Sequence, residues 1–158
     1  MADKPAPTLP TAEQLARYAQ EFNKSKTLAH FGVQVSFPEG KRVEVTMPQI
    51  LPEHRGGLGT DAVNGGVLAA IFDLAIGCTP ALLDPTRRTA TMQLSMSFER
   101  PVRGETFKAI GEIDSAGDAV LFASARIIDG HGKECARCQG VVRRSSQAWR
   151  SGDSPAIN

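Results

Sequence analysis

One apolar run dominates the hydrophobic pattern of the chain: residues 67–76 are apolar except for a single acid, Asp73. The pattern predicts a helix over residues 65–83, which Asp84-Pro85 would end. Since a helix that is apolar on nearly every side is normally buried on nearly every side, we expect it at the centre of the fold. A capping box and apolar residues at helical spacing predict an earlier helix over residues 11–24.

Alternating apolar and polar positions predict six strands. These cover residues 32–37, 42–47, 89–98, 107–113, 119–128 and 133–142. In the third strand Met92, Leu94, Met96 and Phe98 fall on one face, the expected core face, and Thr91 falls on the other. The order of elements predicts an α+β domain in which an antiparallel sheet of about six strands wraps around the central helix. Such a sheet keeps an exposed edge, which dimerisation would cover.

Length and composition suit one domain, which we assign to residues 11–144, between a flexible arm over 1–10 and a flexible tail over 145–158. The formal net charge of +1 argues against a dedicated nucleic-acid-binding protein. Residues 1–10 lack the apolar core of a signal peptide, and no run reaches the roughly 20 apolar residues that span a bilayer. With an odd count of three cysteines, these features favour a cytoplasmic protein without a disulfide framework.

The strongest candidates for chemistry lie at the head of the apolar helix and within it. An acid such as Asp73, flanked by so much apolar surface, is costly to keep unless it is used or paired. Asn64 precedes Gly65 and Gly66, and free N–H groups at a helix N-terminus suit a developing oxyanion. A structural explanation stays open, with Asn64 as an ordinary N-cap and Asp73 paired with a backbone group in a close helix contact.

A second motif carries less weight. Cys135 and Cys138 form a C-x-x-C pair, but in a strand the two thiols point to opposite faces. A structural zinc site needs four ligands, and His131 nearby does not complete one. We therefore predict no metal site.

The helix and its surroundings resemble the hot-dog-fold acyl-CoA thioesterases of the kind found in phenylacetate degradation. That family carries His-Gly-Gly, an apolar run, and an acid nine residues after the His, a pattern matched by residues 64–73 with Asn64 in place of the His. Residues 101–104 resemble the family's Pro-x-x-Gly exit from its third strand, and Pro52-Glu53-His54 resembles its lead-in to the loop. The likeness covers about residues 28–143.

The resemblance implies roles for individual residues. Asp73 would activate water or attack the thioester directly, while the Gly65 N–H would hold the thioester oxygen. Thr91 matches a position where a hydroxyl from the partner subunit orients the water. Asn64 can donate a hydrogen bond but cannot titrate near neutrality, so thioester hydrolysis survives the change and dehydratase chemistry does not. The candidate substrate-binding residues are Gly66, His54, Arg100 and Arg103, the two arginines as contacts for the phosphates of coenzyme A.

The predicted function is therefore hydrolysis of an acyl-CoA to a free acid and coenzyme A. The resemblance implies no cofactor beyond the coenzyme A of the substrate, and a homodimer or dimer of dimers with sites between subunits. Neither nucleic acid nor a membrane is an expected partner. The alternative is a non-catalytic hot-dog protein that binds an acyl-CoA or another small ligand.

Overall fold

The computed structural model describes residues 8–149, in which three helices accompany one antiparallel sheet of six strands. The helices are α1 (Ala12–Phe22), α2 (Lys26–Phe31) and α3 (Gly65–Gly77). The strands are β1 (Gln34–Ser36), β2 (Val43–Met47), β3 (Arg87–Phe98), β4 (Phe107–Ala116), β5 (Val120–Asp129) and β6 (Glu134–Ala148). The predicted α+β class, with six strands curled around a central helix, is confirmed. The predicted capping box also forms, because Thr11 and Gln14 exchange two hydrogen bonds at the start of α1.

The two edges of the sheet differ in length and in how their backbone groups are satisfied. The strand order is β1-β2-β4-β5-β6-β3, with every neighbouring pair antiparallel. At the β1 edge the Asn23 side chain accepts from the Val35 N–H at 2.8 Å and donates to the Val35 carbonyl at 2.9 Å. At the other edge β3 spans 12 residues and, within residues 8–149, pairs with β6 alone. This second edge is therefore open.

Two strand glycines let α3 lie close against the sheet. A β-carbon placed on Gly111 of β4 would lie 2.7 Å from the Ala75 carbonyl oxygen, and one on Gly140 of β6 would lie 2.6 Å from the Ile76 side chain. Such distances leave room for hydrogen alone, which explains glycine inside two strands. The face of α3 turned to the sheet is fully apolar. Its buried residues are Leu68, Ile71, Phe72, Ala75 and Ile76.

The other face of α3 departs from the sequence prediction. Gly66 and Asp73 are exposed, so the helix is buried on one side only, because the sheet curls around it without closing. The α-helix also ends at Gly77, and a 3-10 turn over Thr79–Leu82 completes the predicted length. The segment Gly65–Leu82 is long and apolar enough to cross a membrane, but 56% of it is buried inside the fold, as in a core helix.

The ends of the domain also differ from their predicted limits. The predicted tail begins with strand residues, since β6 continues through Ala148 and Trp149 donates from its backbone to the Thr86 carbonyl at 2.9 Å. The short helix α2 gave no periodic signal in the sequence. Residues 1–7 of the predicted arm and 150–158 of the predicted tail lie outside the described residues.

A β-bulge divides β3 into two parts. Thr91 pairs with Val142 and Gln93 pairs with Val141, so Met92 has no partner of its own across the ladder. An extra residue in one strand reverses which alternate side chains face the core. Strict alternation along the sequence therefore cannot describe the whole strand.

The bulge corrects the predicted core face. Before the bulge Thr91 faces α3, and after it Leu94 and Phe98 do, as their contacts with Gly77, Gly140 and Gly65 show. Met92 is 61% exposed and Phe98 is 51% exposed, because β3 is the edge strand and nothing described covers its outer flank. The expectation of one core face is therefore wrong for Met92, whereas Leu94, Met96 and Phe98 keep a common face.

Deleting Met92 should remove the bulge and leave Thr91 and Leu94 on the α3 face, because the deleted residue is the one without a partner in the ladder. The free energy of unfolding should therefore change by less than about 1 kcal/mol. Urea unfolding followed by circular dichroism measures the change. Met92→Ala is the matched control, since it keeps the bulge and removes a mostly exposed side chain, and it should stay within about 0.5 kcal/mol of wild type. A deletion that destabilises the protein by about 3 kcal/mol or more beyond this control would contradict the assigned bulge.

Candidate functional site

The head of α3 presents backbone and side-chain hydrogen-bond donors to solvent. The Asn64 Oδ1 accepts from the Gly66 N–H at 2.8 Å, which fixes the side chain as an N-cap. This bond commits the amide oxygen, so the Nδ2 group faces outward as a donor, and no hydrogen bond occupies it among residues 8–149. The Gly65 N–H lies in the first turn, where the helix provides no acceptor. Two donors therefore stand side by side at an exposed helix N-terminus.

An aromatic ring lies beside these donors. A β-carbon placed on Gly65 would lie 3.9 Å from two ring atoms of Phe98, at the end of β3. The ring is half exposed, so it borders the site on one side and is accessible on the other. The sequence assigned Phe98 to the core, and its position next to Gly65 depends on how β3 runs antiparallel along α3.

Asp73 is exposed on the open face of α3, in contrast to the sequence expectation that surrounding apolar residues would bury it. Within the described part of the chain no hydrogen bond or ion pair engages its carboxylate. The charge of Asp73 acts on the buried thiols of Cys78 and Cys138. Burial is the main cause that raises the pKa of Cys138 to about 11, and the Asp73 charge adds a smaller rise. The alternative of a backbone partner for Asp73 is therefore not realised in the single chain.

Thr91 lies on the same side of the sheet as α3. Its Oγ1 would be 3.1 Å from a β-carbon placed on Gly77, one turn beyond Asp73. Thr89, two residues earlier in the strand, donates from Oγ1 to the Gly77 carbonyl at 2.8 Å. The bulge at Met92 resolves the conflict between the alternation in the sequence and the position of Thr91. Gly77 and Thr89 had no signal in the sequence, since only the packing of β3 on α3 brings them to the site.

The donors and the carboxylate are far apart along one helix. Gly65 and Asp73 are eight residues apart, a rise of about 12 Å at 1.5 Å per residue. A reacting carbonyl needs its oxyanion donor within about 3 Å and its attacking atom within about 3–3.5 Å. In one chain the donors and the carboxylate therefore lie too far apart to contact the same thioester carbonyl.

Two predicted substrate contacts have structural roles. His54 is 4% exposed, and its Nδ1 accepts from the Leu51 N–H at 3.0 Å. Its carbonyl accepts from the Asn64 N–H at 2.8 Å, which ties the loop to the head of α3. Gly66 is exposed, but its N–H is already committed to the Asn64 side chain.

The two predicted arginines are exposed and engaged with neighbouring groups. Arg103 forms a 2.7 Å ion pair with Asp61, and this hydrogen bond is the main cause that lowers the pKa of the Asp61 carboxyl. Arg100 donates to the Glu134 carbonyl at 3.2 Å. Both follow Phe98 in the chain, so they lie at the end of β3 that adjoins the head of α3.

A surface groove of about 940 Å³ is bordered by the start of α1, the turn between β4 and β5, and the segment that leads into β3. None of the predicted site residues lines it. In the described residues, no group of three His, Cys, Asp or Glu side chains could hold a metal ion.

The chain is similar to proteins of one superfamily. Residues 61–136 match the model of the thioesterase superfamily. This span contains the head of α3, Asp73 and Thr91, and it ends inside β6. No curated protein matches the chain in sequence.

Solved structures share the fold. A Shewanella oneidensis protein related to the thioesterase superfamily is 23% identical with a TM-score of 0.76, and the alignment covers 85% of this chain and 97% of that one. The E. coli PaaI protein from the phenylacetic acid degradation operon is 18% identical at 0.74, covering 88% and 99%. A Haemophilus influenzae thioesterase is 19% identical at 0.70, covering 83% and 90%. These likenesses confirm the hot-dog fold.

The three thiols should be unreactive in the folded protein. All are buried, and burial raises the pKa of Cys78 to about 12 and that of Cys138 to about 11, so the nucleophilic thiolate is scarce at neutral pH. We expect no alkylation by iodoacetamide at pH 7 in native protein and three alkylated cysteines after unfolding in guanidinium, counted by mass spectrometry. Rapid alkylation of native Cys138 would instead point to a thiol nucleophile beside Asp73.

Proposed function

Because residues 61–136 match the model of the thioesterase superfamily, we propose that the chain hydrolyses an acyl-CoA thioester to a free acid and coenzyme A. The observation that carries the proposal is the presence, on one helix, of an exposed carboxylate at Asp73 and of donors at the helix head, neither of which has a hydrogen-bond partner among residues 8–149. The first supplies a base for water and the second stabilises negative charge on an acyl oxygen. Thioester hydrolysis needs both.

The oxyanion would be held by the Gly65 N–H and the Asn64 Nδ2. The cap bond to Gly66 keeps the Asn64 side chain in one orientation, so its donor is in place before the reaction starts. Unlike a histidine, this donor keeps the same charge across the pH range in which carboxylates titrate. Its role is electrostatic and requires no proton transfer.

Asp73 would act as general base. Its carboxylate takes a proton from water while the water oxygen forms a bond to the thioester carbon, whose oxygen becomes the oxyanion. The intermediate collapses by breaking the carbon–sulfur bond, and the proton passes from Asp73 to the departing coenzyme A sulfur. No metal or redox cofactor enters this sequence of steps.

Two copies of the chain would build each site. The separation of about 12 Å between Gly65 and Asp73 favours a thioester that meets Gly65 of one chain and Asp73 of the other. The open edge of β3 supplies the surface for this pairing, since a long unpaired strand is a template for another. We propose a homodimer joined at β3, which would also cover the exposed Phe98.

The coenzyme A moiety would lie near Arg100 and Arg103. Both guanidinium groups are exposed and lie just beyond Phe98, on the side from which a thioester would approach Gly65. Arginine suits phosphate because its planar fork of donors matches the phosphate oxygens. The ion pair with Asp61 would have to exchange for a phosphate at Arg103.

A non-catalytic acyl-CoA-binding protein is the second candidate, and Asn64 in place of the family's His favours it. Thiol release from short, medium, long and aryl acyl-CoAs separates the two candidates. The proposed enzyme turns over at least one of them, and Asp73→Asn lowers its kcat by about 10²–10⁴-fold without a change in Tm. Binding without turnover of any of them would establish the second candidate.

Mixed dimers test whether each site is shared between chains. Asn64→Asp keeps a favoured N-cap acceptor but replaces the amide donor with a negative oxygen, so kcat should fall by about 10²–10³-fold at unchanged Tm. In dimers that combine one Asp73→Asn chain with one Asn64→Asp chain, purified through two different tags, one site is intact. We expect about half of the wild-type activity per dimer. Mixed dimers as inactive as the two parent variants would exclude the shared site.

A further inference from the structure

We propose that Gly77 and Thr89 position the Thr91 hydroxyl beside Asp73 of the same chain, so that the carboxylate and its threonine form one cis half-site. This inference rests on the proposed function and deepens it. It assigns positioning roles to Gly77 and Thr89 and fixes which chain provides the hydroxyl. A thioester would then meet the donors of one chain and a complete Asp73–Thr91 pair from the other.

Gly77 lies on α3 next to both Asp73 and the Thr91 hydroxyl. Gly77 follows Asp73 by four residues, and residues four apart are neighbours on one helix face, with β-carbons about 5–6 Å apart. The Thr91 Oγ1 lies 3.1 Å from the place where a β-carbon of residue 77 would be. The hydroxyl therefore occupies the space that a side chain at residue 77 would fill, one turn from the carboxylate.

Thr89 anchors the strand that carries Thr91 to the end of α3. Thr89 donates from Oγ1 to the Gly77 carbonyl at 2.8 Å, and this carbonyl belongs to the last turn of α3, where backbone acceptors lack intrahelical partners. Thr89 and Thr91 are two residues apart and so share one strand face. One hydrogen bond thus fixes both the end of the helix and the direction of the neighbouring hydroxyl.

The bulge in β3 also determines where the Thr91 hydroxyl points. Because Met92 is unpaired, Thr89 and Thr91 face α3 while Leu94 and Phe98 farther along the strand face it too. Without the bulge, a strand that turned Leu94 and Phe98 to the helix would turn Thr91 outward. The strand therefore carries an irregularity whose effect is to bring this hydroxyl to the helix.

The chemistry requires a group that holds water next to a base. A hydroxyl donates one hydrogen bond and accepts two, so Thr91 can orient a water whose proton passes to Asp73. The water remains the attacking group, and Thr91 neither gains nor loses a proton. Gly77 and Thr89 touch no reacting atom and act through Thr91.

Single variants test the positioning roles. Thr91→Val should lower kcat about tenfold or more at unchanged KM, and Thr91→Ser should retain activity because it keeps the hydroxyl. Gly77→Ala should lower kcat severalfold, since its β-carbon displaces the hydroxyl. A purely structural Gly77 would behave differently, because alanine is the better helix residue and should leave Tm unchanged or raised. An unchanged kcat in Gly77→Ala and Thr91→Val would overturn the proposal.

Mixed dimers decide which chain provides the hydroxyl. If Thr91 serves Asp73 of its own chain, a dimer of one Asp73→Asn chain and one Thr91→Val chain has no intact site and stays at the level of its parents. If Thr91 serves the partner's carboxylate, the same dimer has one intact site and regains about half of the wild-type activity, which would overturn the cis assignment. The Asp73→Asn and Asn64→Asp dimer is the control: its recovery upholds the shared thioesterase site whichever way Thr91 acts.

Discussion

The close approach of α3 to the sheet is the constraint on which the rest of the molecule depends. Gly111 and Gly140 leave no side chain between helix and strands, so the helix sits deep in the curve of the sheet. Its apolar face is buried there, and the sheet wraps far enough to bring β3 alongside the helix from Gly77 to Gly65. A larger residue at either glycine would move the helix away from the sheet. The donors at the head of α3 and the Asp73 carboxylate would then be separated from β3, the strand that borders them.

Sequence patterns predicted the elements well, since helix and strand periodicity are local signals. They missed the bulge in β3 because the alternation of Met92, Leu94, Met96 and Phe98 continues unbroken through it. A bulge is identified from the register between a strand and its partner, and the sequence of one strand does not specify that register. The exposed face of α3 was missed for a similar reason: the run at 67–76 is apolar all round, while the burial depends on how far the sheet closes.

The residues of the candidate site also fall into two groups: those with a local sequence signal and those that only the tertiary contacts reveal. Asp73 and Asn64 were identified because an acid in an apolar run and a cap before two glycines are contrasts within a few residues. Gly77, Thr89 and Phe98 belong to the site only through contacts between β3 and α3, which are far apart in sequence. His54 is an intermediate case, since its place in a motif was visible but its burial and its bond to Leu51 were not.

The contrast between the two sheet edges bears on how assembly stops. At β1 the Asn23 side chain already bonds the outward N–H and carbonyl of Val35, as the backbone of a neighbouring strand would. That edge cannot accept another chain without losing both bonds. A strand that pairs with its own copy through a two-fold axis is consumed by that pairing. In the proposed homodimer one edge is capped and the other pairs with its copy, so the assembly would close at two chains and be protected from open-ended growth into fibres.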